Sequence, residues 1–94
     1  MNYYVYLLIS KNTNKIISYV GYTNSLTDRI KKHNTNRGAK FTKGRQWQLI
    51  YKKKYKNKKI ALREEYKLKK NYLLRKKIKD NFLLTNKIFN NFII

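Results

Sequence analysis

Near the N-terminus, Tyr3 to Ile9 (YYVYLLI) is β-branched, aromatic or aliphatic at every position. A strand with one wet face alternates polar and apolar residues. This run does not alternate, so it reads as a strand buried on both sides. Lys11 to Lys15 (KNTNK) is a turn cluster, and Ile16 to Thr23 (IISYVGYT) reads as a second strand. The short link predicts a hairpin. Gly21 lies inside the second strand and marks a bulge or a place where another group approaches the backbone closely.

Ser25 opens a helix, with Ser25-x-x-Asp28 resembling a capping box and Leu26, Ile30 and His33 recurring at helical spacing. Gly38 suits a C-terminal stop. Gly38 to Arg45 (GAKFTKGR) is a basic loop, and Trp47 to Tyr51 (WQLIY) reads as a third strand. Lys52 to Lys59 is a basic strand end and turn. Ile60 to about Leu74 is a helix, and a shorter one is expected over Arg75 to Lys79. Asp80 to Ile94 has weak periodicity and receives no assignment. The chain has no proline and no linker or repeat. The expected fold is one small α+β domain with a three-stranded, mostly antiparallel sheet flanked by helices. The domain proper spans residues 1–79, with 80–94 as a C-terminal extension.

Charge bounds the partners. The 94 residues carry 24 Lys and Arg against four Asp and Glu, a formal net charge of +20. So large a charge on so small a body repels itself and attracts polyanions, which makes nucleic acid the expected partner. Base composition of the genome can also drift a surface toward lysine, so the sign of the charge informs more than its size. No apolar run approaches the roughly 18 residues of a membrane span. Met1 leads directly into the strand with no signal-peptide pattern, so a cytoplasmic protein is expected. With no cysteine and one histidine, thiolate zinc sites, cysteine nucleophiles and histidine-rich metal sites are excluded. A hard divalent cation would depend on Asp28, Glu64, Glu65, Asp80 and the C-terminus.

The helix IALREEYKLKK places Ala61, Leu62, Tyr66, Leu68, Tyr72 and Leu73 on one broad side and Arg63, Lys67 and Lys70 on the other. Glu65 falls near the middle of the apolar side. A buried carboxylate needs a partner, because leaving it unpaired costs several kcal/mol by rough estimate. Two readings stand: an internal salt bridge, for which Lys69 is available, or a metal ligand or general base. Arg29 flanks the Leu26/Ile30/His33 stripe and reads alone as a surface phosphate contact or a helix-face charge. His33 alone reads as a packed, hydrogen-bonded histidine, and Tyr6 and Tyr19 alone read as core aromatics. Taken together these residues say more. Phosphodiester hydrolysis needs a group to deprotonate water, a cation to neutralise charge on phosphorus, and stabilisation of the leaving oxygen. Tyrosine, arginine and one carboxylate-bound metal supply these. A field of lysines, arginine and metal is expected to lower the phenol pKa from near 10.

Tyr4-Val5-Tyr6, Tyr19-Val20-Gly21, Arg29 and His33 on the following helix, and Glu65 on a later one resemble a GIY-YIG endonuclease domain of the small, stand-alone bacterial UvrC/Slx-like type. The stretches YVGYTNSLTDRIKKHN, GAKFTKGRQWQLIY and ALREEYKLKK agree, and the resemblance covers about Tyr3 to Lys79. It implies single-metal hydrolysis of DNA with Mg²⁺ or Mn²⁺. Arg29 would stabilise the phosphate, Glu65 anchor the metal, and Tyr6 or Tyr19 act as base, with the preference on Tyr19. His33 would support them and Gly21 would be structural. Lys31, Lys32, Lys40, Lys43 and Arg45 are the expected DNA contacts. The first motif reads YVY in place of GIY, and position 22 is Tyr where some relatives have lysine.

Two functions compete: a metal-dependent DNA endonuclease, with repair of branched or damaged DNA within its range, and a basic nucleic-acid-binding module without catalysis. Charge supports both, and YKKKYKNKK suits a backbone-tracking surface in either. Glu65 separates them, because a carboxylate beside phosphates repels them and gives a pure binder nothing. A protein partner would supply any sequence recognition.

Overall fold

The computed structural model describes residues 1–12 and 15–93, with side chains described through Thr85 apart from Asn12. Strand β1 (Tyr3–Asn12) lies between β2 (Lys15–Thr23) and β3 (Gln48–Tyr55) in an order β2-β1-β3, and both pairings are antiparallel. The central place of β1 follows from its composition. Val5 to Ser10 are all buried, and Tyr6, Leu7 and Leu8 are fully so. The turn residues 13–14 lie outside the described residues, but Asn12 already pairs with Lys15, as a hairpin requires.

Alternation along β1 divides the core in two. Val5 and Leu7 pack with Val20, Ala61 and Leu68 beneath helix α2 (Lys58–Lys70). Tyr6 and Leu8 face the other way and pack with Trp47, Ile17, Tyr19, Leu26 and Ile30, the last two from helix α1 (Leu26–Asn34). Against β3 the register slips between Leu7 and Leu8, whose partners are Tyr51 and Leu49. The extra residue, Ile50, joins Tyr51 on the α2 side, which is the effect of a bulge.

Several local expectations change. The Ser25 hydroxyl donates to the Asp28 carboxylate at 3.0 Å and caps no backbone N–H of α1, so the capping box does not form. The helix ends at Asn34, and the left-handed residue that follows is Asn36 (φ 64°) rather than Gly38. Helix α2 stops at Lys70 because Asn71 leaves the helix and its side chain accepts from the Leu74 N–H at 3.1 Å. That bond starts helix α3 (Tyr72–Ile93), which absorbs both the short helix expected at Arg75 and the unassigned tail. Arg75 reaches back to the Leu68 carbonyl at 2.8 Å and to that of Lys69, so a cation from α3 caps the C-terminus of α2. Ala61 and Leu68 face inward as expected, but Leu62, Tyr66, Tyr72 and Leu73 face solvent. The inward stripe runs through 61, 65 and 68, which brings Glu65 in between two buried positions.

Candidate active site

Tyr6 and Gly21 are direct partners across β1 and β2. Gly21 has no unusual backbone conformation. A Cβ there would strike the Tyr6 ring and hydroxyl, so the glycine gives the phenol room to lie over the edge strand. The sequence offered bulge or close approach; the register through Gly21 is unbroken, and close approach is what the structure has.

The buried Tyr6 hydroxyl meets His33 Nε2 at 2.8 Å, joining the central strand to the last turn of α1. His33 Nδ1 lies 2.9 Å from the Thr42 hydroxyl, and Thr42 donates to the Ala39 carbonyl at 2.8 Å. His33 and Thr42 are both fully buried. Gly38 serves this arrangement, since a Cβ there would collide with the His33 ring. The loop is fastened to α1 a second time. Asn34 accepts from the Trp47 N–H at 2.6 Å and donates to the Trp47 carbonyl at 3.1 Å. The indole N–H donates to the Thr42 carbonyl at 2.9 Å.

The charge of Arg29 acts on the Tyr6 hydroxyl, as do those of Tyr19 and Glu65. Strand, helix α1 and helix α2 thus deliver Tyr6, Tyr19, Arg29, His33 and Glu65 to one neighbourhood. Burial pushes the Tyr6 phenol up to about 12, and the opposing pull of Arg29 does not restore it. Tyr6 therefore does not have the lowered pKa expected from the cationic background, because desolvation outweighs the nearby positive charge. His33 is pushed below its ordinary 6.5, first by burial and then by the charge of Arg29.

Tyr19 is half-buried, with its ring 5.1 Å from that of His33 and stacked at 6.2 Å on the exposed Phe41. It lines a surface cavity with Ser18, Val20, Phe41, Lys69 and Arg75. The Glu65 carboxylate, 17% exposed, pairs with Lys69 Nζ at 3.7 Å, the salt bridge the sequence allowed. Arg29 opens on a second cavity with Tyr22, Thr23, Asn24 and Lys32. Lys31 and Lys32 line a neighbouring one with Arg37. Lys40 and Lys43 stand exposed on the loop, and Arg45 is half-buried there. Among the described residues no three His, Asp or Glu side chains gather.

The neutral, buried His33 implies a pH dependence. Its folded pKa lies below the unfolded 6.5, so the unfolded chain takes up the proton first. Its contribution is complete above pH 6.5 and is lost as pH falls from there toward the folded pKa. His33 is the chain's one histidine, so the slope just below pH 6.5 is assignable. The urea midpoint should fall across that window. A flat midpoint, or an NMR titration of His33 at or above 6.5, would contradict the burial.

The GIY-YIG catalytic domain model matches residues 2–79. This chain belongs to the GIY-YIG family. Its relatives include a UPF0213 protein of Oceanobacillus iheyensis, 43% identical over 68 residues that cover 71% of this chain and 76% of that one. The UPF0213 protein YazA of Bacillus subtilis is 40% identical over 77 residues, 81% of this chain and 73% of its own. A solution NMR structure of a UPF0213 protein from Bacillus halodurans aligns at TM-score 0.49 and 38% identity, covering 82% of this chain and 80% of that one. Within the GIY-YIG domain, residue reasoning missed Thr42, Gly38, Asn34 and Trp47 as parts of the site's support. A threonine inside a lysine-rich loop carries no periodic signal. Gly38 had a ready explanation as a helix stop, which hid its use beside His33.

Proposed function

We propose that this chain is a divalent-metal-dependent DNA endonuclease. The carrying observation is that the Tyr6 hydroxyl, His33 and Tyr19 meet in one place, within electrostatic reach of Arg29 on α1 and Glu65 on α2. In a strongly basic surface, an inward carboxylate near such a group is hard to explain by binding alone. Glu65 fits Mg²⁺ or Mn²⁺ as a single protein ligand, because Mg²⁺ keeps several waters and is commonly held by one or two carboxylates plus substrate phosphates. When bound, such a metal supplies Lewis-acid stabilisation of phosphoryl oxygens.

The chain's own residues do the rest. Arg29, half-buried and opening on a surface cavity, offers its donors to a phosphate. Tyr19 is the phenol that borders solvent, so it takes the base role, with Lys69 and Arg75 lining the same cavity. Tyr6 is fully buried and holds His33 in place. Lys31, Lys32, Lys40, Lys43 and Arg45 track the DNA backbone.

The Glu65–Lys69 pair also suits a binding module without catalysis, and a cleavage panel separates the two. Duplex, single-stranded and branched DNA should be tested with Mg²⁺, Mn²⁺ and a chelator. Nicking of at least one substrate with metal, abolished by chelation, is expected. Binding without cleavage of any of them would favour the module.

A further inference from the structure

The hydrogen bonds around His33 run in one direction only. Thr42 donates its hydroxyl proton to the Ala39 carbonyl at 2.8 Å. A hydroxyl has one proton, so the same oxygen can only accept from His33 Nδ1 at 2.9 Å. Burial keeps the ring neutral, with one N–H and one lone pair. With its hydrogen on Nδ1, Nε2 can only accept, so the Tyr6 O–H donates to it at 2.8 Å. Among the described residues every buried polar side-chain atom has a partner, so the line has no gap.

We propose that Thr42 is a positioning residue: it fixes His33 in the Nδ1–H tautomer, and so holds Tyr6 as donor to the ring. The catalytic consequence rests on the nuclease reading; the tautomer does not. Free histidine side chains in water favour the Nε2–H form, so Thr42 selects the less common one. Without its oxygen, the ring is expected to move its hydrogen to Nε2 and donate to Tyr6. The Tyr6 oxygen would then accept from the ring, and its own hydrogen would have to turn away from it.

The single histidine makes the test direct. Long-range ¹H–¹⁵N correlation on ¹⁵N-histidine-labelled protein at pH 7.5 should show Nδ1 protonated and Nε2 bare. Thr42→Ser should keep that pattern. Thr42→Val should convert it to Nε2–H and lower cleavage by roughly tenfold, with Thr42→Ser close to wild type. An Nε2–H or doubly protonated ring in the wild type overturns the assignment, as does an unchanged Nδ1–H ring in folded Thr42→Val. If Thr42→Val does not fold, the wild-type and Thr42→Ser spectra decide. An inactive protein with an Nδ1–H ring would count against the nuclease reading alone. An active one with the other tautomer would count against Thr42 alone.

Discussion

Glu65→Gln should reduce metal-dependent cleavage by about 10³-fold, the several kcal/mol that a bound cation supplies to charge stabilisation. Glutamine keeps the size and much of the hydrogen bonding of glutamate, so the fold should survive. The lost partner is Lys69, whose side chain is 50% exposed and 3.7 Å away. Exposed pairs of this kind contribute about 0–1 kcal/mol, so the melting curve should hardly move. Arg29→Ala should cost roughly 10²–10³-fold, as loss of a charge-stabilising donor does. Single-turnover rates beside thermal melts would check both. A Glu65→Gln rate within a factor of three of wild type would remove Glu65 from the metal and leave it as a salt-bridge residue.

The second large effect concerns stability. Gly21→Ala should lower stability by about 2–4 kcal/mol, combining overpacking with loss of a buried hydrogen bond. The new Cβ meets the Tyr6 ring and hydroxyl, and that ring is enclosed, with its hydroxyl tied to His33. Gly38→Ala should act in the same direction, since its neighbours include the His33 Cα as well as the ring. For a domain of this size the melting temperature should fall by roughly 10 °C or more. An unchanged melt for Gly21→Ala would mean that Tyr6 has room to swing aside, contrary to its complete burial.

Strand β1 was legible because unbroken apolar character leaves few places for a strand to go. The Gly21 reading was half legible: the residue announced a close approach but not what approached. The wheel of α2 misled because it averaged apolar residues over a broad side. Exposed Leu62 and Tyr66 widened the face beyond the Ala61/Leu68 line on which Glu65 sits. Periodicity also ran through Asn71, where a side-chain cap that the hydrophobic pattern does not register divides one helix from the next. The lowered phenol pKa was read from net charge. Net charge carries no information about desolvation, which dominates at Tyr6. Nothing in a linear reading shows which side chains the 35–47 segment folds under itself.

The segment that carries Lys40 and Lys43 outward also carries Thr42 inward, within a single turn of 3₁₀ helix. A polyanion that grips those lysines therefore presses on the same short piece of backbone that orders the hydrogens of His33 and Tyr6. Docking and proton order share one lever, and bare protein and loaded protein should differ in how long His33 keeps its hydrogen in place.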